Sequence, residues 1–199
     1  MMKSLKLVAS AAPVLAAMTL LPVLSFAADS HSCASEEPTA QSYTWNFSRE
    51  AAGILKDLRA DAVHAEAHAA TLQSMASANQ VSWEAHASEL SRIKYEINDM
   101  GAKLCRLETI RRVVSPWEQQ AIDRSVPEIR LLADNATDAL NYLNQHQGEF
   151  WEPTYVKYTD NLYNESHQLN QSVRNFEEYA KARSKELKLQ KSLEIKAGA

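Results

Sequence analysis

Glycine is scarce in this sequence: Gly53, Gly101, Gly148 and Gly198 are the only four in 199 residues. No phosphate-cradling glycine loop can be drawn from them. Cysteine is scarcer still, with Cys33 and Cys105 alone. Neither belongs to a CxxC or CxxCH pattern, which excludes the dithiol redox motif and c-type haem attachment. No Ser-His-Asp elbow and no zinc-finger spacing occurs, and the segment HAEAH at 64–68 puts Glu66 at the wrong offset for the His-Glu-x-x-His zinc pattern. No window shows strand alternation, and beyond residue 27 no apolar run is long enough to cross a bilayer. General acid–base work needs titratable groups gathered in a pocket, and none assembles from the sequence, so the chain is expected not to be an enzyme and no cofactor is expected.

The first 27 residues do carry a pattern. Lys3 and Lys6 precede an apolar stretch from Leu7 to Leu24, and Ser25-Phe26-Ala27 places small residues at the −3 and −1 positions of a cleavage site. This is the layout of a secretory signal peptide over residues 1–27. An uncleaved anchor is the alternative, disfavoured by Pro13 and Pro22. Cleavage after Ala27 is preferred to cleavage after Ala28. The latter would begin the chain Asp29-Ser30-His31, a sequence able to hold copper through the free amine. The product is expected to be exported, periplasmic or extracellular, where oxidising conditions favour a Cys33–Cys105 disulfide, within one chain or between two.

Charge is unevenly spread. Without Lys3 and Lys6 the chain has 19 basic and 25 acidic residues, a net of −6. From Lys181 onward there are six basic residues and two acidic ones, net +4, which leaves −10 on the body. An acidic body disfavours nucleic acid as a partner. The basic tail, 188–199 beyond the helical body, suits peripheral contact with an anionic surface or a neighbouring body, or is a solvated helix end.

Apolar residues recur at three-and-four spacing in four segments. The first stripe is Ala51, Leu55, Leu58, Ala62, Ala65, Ala69, Leu72 and Ala76, on a helix expected over about 47–78. The second, Trp83, Leu90, Ile93, Ile97, Met100, Leu104, Leu107 and Val114, implies a helix over about 82–114. Ser115-Pro116-Trp117-Glu118 is a capping box with proline at the first helical position and opens a third helix over about 116–147. Its stripe is Ile122, Val126, Ile129, Ala133, Ala136, Leu140 and Leu143, with Pro127 expected to kink it or break one turn. Pro153 opens the fourth, over about 153–190, with the stripe Thr159, Leu162, Ser166, Leu169, Val173, Phe176, Ala180 and Leu187.

Four long helices with short connections predict an all-α fold: an antiparallel up-down-up-down four-helix bundle over 47–187, preceded by an extended arm at 28–46. The small residues of the first stripe should bring that helix close to a neighbour. Trp45, Phe47 and Trp117 are expected to plug one end, and Trp83, Phe150 and Trp151 the other. The first hairpin sets residue 105 level with residue 55, within reach of the arm for the Cys33–Cys105 bridge. His86 falls on the second seam, where a polar residue fixes register at some cost in stability.

Asp57, Asp61, His64 and His68 are spaced 4-3-4 along one side of the first helix. Two histidines four apart can share one metal ion, and the hairpin sets Glu96 opposite as a third ligand. The metal candidates are therefore His64, His68 and Glu96. Arg92 is expected to pair with Asp61, and the alternative for both histidines is a solvated or salt-bridging role. A ferritin-like di-metal centre needs two Glu-x-x-His motifs, and the chain has none. Four Asn-x-Ser/Thr triplets, at 46, 135, 164 and 170, lie in or beside helices and read as chance. The functional expectation is an exported, non-enzymatic bundle that binds an unidentified protein or envelope partner, with metal buffering through the histidines as the alternative.

Overall fold

The computed structural model describes residues 46–78 and 81–197, with side chains to residue 193. The expected signal peptide, nearly all of the arm, Trp45 and Cys33 lie outside the described residues. Four α-helices make up the fold: α1 (Phe47–Ala76), α2 (Trp83–Ile110), α3 (Pro116–Gln145) and α4 (Pro153–Ala197). A 3-10 turn, Arg111–Val113, tightens the end of α2.

Local chemistry sets the helix starts. The Asn46 side chain accepts the Arg49 N–H at 2.9 Å, satisfying one of the free donors of the first turn of α1. The Glu118 carboxylate of α3 reaches back to the Ser115 N–H at 2.7 Å and is itself buried. Pro127 does not break α3, which runs unbroken from Pro116 to Gln145. The ring lies on the exposed side, as does Asp123, so the carbonyl deprived of its N–H partner faces water.

α1 packs along α2 and α4, and α3 packs along α4 and α2, while α1 and α3 barely touch. Along α1, Glu50, Asp61, His64 and His68 meet Arg106, Lys103, Glu96 and Glu89 of α2, rising on one helix as they fall on the other. The same opposed order relates Arg59, Glu66 and Gln73 of α1 to Glu177, His167 and Asp160 of α4. Glu128 and Asn135 of α3 meet Ser172 and Glu165 of α4 in that order as well.

One core runs along α1, α2 and α3 and the first half of α4. All eight residues of the α1 stripe are buried, and Ala62, Ala65 and Ala69 are wholly enclosed. On α2 the core extends to His86 and Ile110, while Trp83 is only half-buried. The α3 stripe is rotated from the expected line: Ser125, Ile129, Leu132, Ala136, Ala139 and Leu143 are buried, whereas Val126, Ala133 and Leu140 are half-buried. On α4 burial starts at Tyr155 and fades after Val173, with Phe176 and Ala180 half-buried and Leu187 exposed.

Gly53 and Gly101 sit inside helices, and a Cβ added at either meets nothing within 4 Å. Gly53→Ala with Gly101→Ala therefore raises unfolding free energy by about 1–2 kcal/mol, through a less flexible unfolded chain. Urea denaturation of the double variant checks this.

Candidate functional site

Two regions carry polar chemistry: the α1–α2 face with its histidines, and the distal third of α4. On the first, His64 is 63% exposed in its side chain, and its Nδ1 stands 3.7 Å from Glu96 Oε2. His68 is turned to Glu89 instead, with Nδ1 and Oε2 sharing a hydrogen bond of 2.8 Å. The structure thus brings two of the three metal candidates together and engages the third elsewhere. Among the described residues, no three His, Cys, Asp or Glu side chains are grouped as a metal site.

Arg92 does not reach Asp61, contrary to expectation. It donates to Glu89, three residues back on its own helix, at 3.1 Å. Asp61, nearly buried, takes the Lys103 ammonium at 2.5 Å, and the same ammonium holds Asp99 at 2.6 Å. Arg92 and Lys103 flank the level of Asp61 on α2; Lys103 is the cation packed against it, while the exposed Arg92 is held by Glu89. Burial pushes the Asp61 carboxyl above its ordinary range, outweighing the Lys103 hydrogen bond. Lys103→Met leaves that carboxylate unpaired and lowers stability by about 1–2 kcal/mol at pH 7. Adding Asp61→Asn restores most of the loss, which thermal unfolding of the two variants tests.

Cys105 is half-buried on α2. Its level is that expected, since the Glu50–Arg106 and Asp61–Lys103 pairs bracket it opposite residues 50–61. Its proposed partner, Cys33, lies outside the described residues.

The interior holds polar groups, each engaged locally. His86 is fully buried; its Nδ1 shares a hydrogen bond of 3.0 Å with the Tyr155 hydroxyl, and its ring stacks on Phe150 at 4.8 Å. Its Nε2 has no partner among the described residues. Burial lowers the affinity of this imidazole for a proton and pushes the Tyr155 phenol up. Glu128 accepts from Arg124 at 2.8 Å and lies within 3.3 Å of Gln168 and Ser172. Ser125 and Ser166 bond back to carbonyls of their own helices.

The distal part of α4 differs. The pairings of Arg59, Glu66 and Gln73 place the first residue of α1 level with about residue 186 of α4. α4 continues to Ala197, roughly 16 Å beyond that level. Every residue from Lys181 to Leu193 is exposed, including Leu187, Leu189 and Leu193 at 57%, 54% and 66%. Where this overhang leaves the body, an open groove of about 460 Å³ forms between the start of α3 (Ser115, Trp117) and Ala180, Arg183, Ser184, Leu187, Lys188 and Lys191 of α4. A smaller recess beside it is lined by Trp117, Phe176 and Tyr179. In the larger groove Trp117, Ala180 and Leu187 are apolar, and Arg183, Lys188 and Lys191 are cationic.

The aromatic residues divide accordingly. Phe47, Trp83, Trp117 and Phe150 pack against the core, but Trp151 does not plug the opposite end: it is 56% exposed. Phe150 takes the inward position on His86, and its chain neighbour is left outside. Sequence periodicity cannot choose between adjacent aromatics in a connection, which is why the groove and the exposed indole were not legible there.

Compared with protein-family models, with curated proteins and with solved structures, the chain has no significant match.

Proposed function

We propose that this chain is an exported, non-enzymatic up-down-up-down four-helix bundle that serves as an interaction module of the cell envelope, with the α4 overhang and its groove as the contact surface. The observation that carries the reading is the combination of three exposed leucines and a run of exposed cations on a helix that has left its neighbours. A soluble protein gains nothing in stability from such an extension, and exposed apolar area framed by charge is the usual mark of a contact surface. The opposed order of cross-helix pairs supports the bundle topology. The basic n-region, apolar stretch and small residues before Ala28 support export.

Two measurements test it. N-terminal sequencing of the protein from the host envelope fraction is expected to begin at Ala28 or Asp29. Deletion of Lys181–Ala199 is expected to move the protein from the envelope fraction to the soluble fraction by tenfold or more; unchanged fractionation contradicts the assignment of the overhang. In the exported protein a Cys33–Cys105 disulfide clasps the arm to α2, so reduction adds two hydrogens and frees two thiols for alkylation, where the untreated chain offers none.

A second reading, metal buffering through His64, His68 and Glu96, rests on the 3.7 Å approach of His64 to Glu96. Zinc titration of the native protein against His64→Ala/His68→Ala separates the readings. Equal, weak binding by both proteins ends the metal reading, and a hundredfold loss in the variant supports it.

A further inference from the structure

The two poles of the molecule are complementary. At one, the exposed end of α4 from Lys181 to Leu193, the last turns of which overhang the body, carries five basic side chains against the single acid Glu186. All five are exposed, and among the described residues Lys181 alone of them is in an ion pair, a 4.0 Å approach to Glu177. At the other pole, the connection between α3 and α4 reads Glu149-Phe150-Trp151-Glu152. Glu149, Trp151 and Glu152 are exposed, and neither glutamate is ion-paired among the described residues. Their charges reach the nearby Tyr142 phenol, which burial first and these carboxylates next push upward. An exposed indole flanked by two free carboxylates thus stands at one end, and a groove lined by apolar and cationic side chains at the other.

We propose that the groove receives Trp151 of a second copy of this chain, so that molecules associate head to tail. Trp117 and Leu187 supply the apolar contact to the indole, and Arg183, Lys188 and Lys191 face Glu149 and Glu152. Tryptophan in a groove of this kind is the commonest sort of interface anchor, and opposite charges around it steer the encounter. The contact joins different surfaces on the two molecules at opposite ends of a rod, so it does not close on itself and grows into a linear chain. Tail-to-tail pairing is disfavoured, because it would set like-charged overhangs against each other. The proposal rests on reading the overhang as a contact surface, and it names the occupant of the groove.

Sedimentation velocity of the processed full-length chain tests it. The expected result is a mean mass that rises with protein concentration without levelling at a dimer and falls as salt is raised. Trp151→Ala is expected to weaken association on the order of 30-fold while leaving helicity and thermal midpoint unchanged. Glu149→Lys/Glu152→Lys and Lys188→Glu/Lys191→Glu are each expected to abolish growth, and their combination in one chain to restore it. A monomer at every concentration, as when the chain's own arm fills the groove, overturns the proposal. So does a closed dimer indifferent to Trp151. Envelope association that is lost on deleting Lys181–Ala199 from a chain that stays monomeric would overturn self-association as the groove's use and leave the envelope role of the overhang standing.

Discussion

Ala65→Leu is expected to destabilise the protein by about 3 kcal/mol, the largest effect of any single conservative change considered for α1. Ala65 is wholly enclosed, in the middle of the run Ala62, Ala65, Ala69 where α1 meets both α2 and α4. Three added carbons have no cavity to enter, so they must displace side chains or push two helices apart over several turns. Val63→Leu is the control. Val63 is exposed on the same turn, and its enlargement is expected to change stability by less than about 0.5 kcal/mol. Urea unfolding of both variants measures the difference, and equal effects would mean that the seam is loosely packed.

Glu165→Gln is expected to stabilise the protein by about 2 kcal/mol at pH 8 and to lose most of that gain by pH 5. One carboxylate oxygen of Glu165 accepts from Asn135 Nδ2 at 2.6 Å, while the other is buried without a partner. Burial, against the Asn135 hydrogen bond and with help from the Asp134 charge, pushes this carboxyl up to about 7. The folded state therefore holds a proton that the unfolded chain releases near 4.5. Its contribution to stability is full below that pH and is lost as pH rises through about 7. Glutamine keeps the acceptor for Asn135 and carries no charge, so it removes the cost above pH 7. His86 tilts the profile the other way. Its folded-state proton affinity is lowered from 6.5, so its contribution is present above 6.5 and declines as pH falls below it. In Glu165→Gln the stability between pH 5 and 6.5 should rise with pH more steeply than in the parent, because the His86 slope is no longer offset. A variant whose gain is the same at pH 5 and pH 8 would show that Glu165 titrates as an ordinary surface carboxylate.

The helical architecture was legible because burial imposes a three-and-four rhythm on long segments. The α1 stripe was read correctly at every position for that reason, and Ser115, Pro116 and Glu118 marked the start of α3 through a local pattern. The α3 stripe was read correctly at Ile122, Ile129, Ala136 and Leu143 but one position late at the alternate turns, where Ser125, Leu132 and Ala139 are buried in place of Val126, Ala133 and Leu140 because those neighbouring positions carry apolar side chains too. Pairings were less legible. Arg92 and Lys103 both lie on the α1-facing side of α2, and which of them packs against Asp61 is a choice that a hairpin estimate does not resolve. Glu165 gave no signal, because its burial arises from the approach of α3 and α4 between two apolar stripes. The basic overhang was visible as charge. The groove at its base was not, since it joins Trp117 to residues more than sixty positions away.

The proposed contact surface is the overhang of α4 and its groove, not the sides of the bundle. Site-specific photo-crosslinking in intact cells decides between the two, with the reactive side chain placed at Leu189, at Leu193, or at the exposed body positions Val63 and Leu131. Discrete, higher-mass adducts are expected from positions 189 and 193 and none from 63 and 131. Adducts of equal strength from the body positions, or none from the overhang, would contradict this assignment.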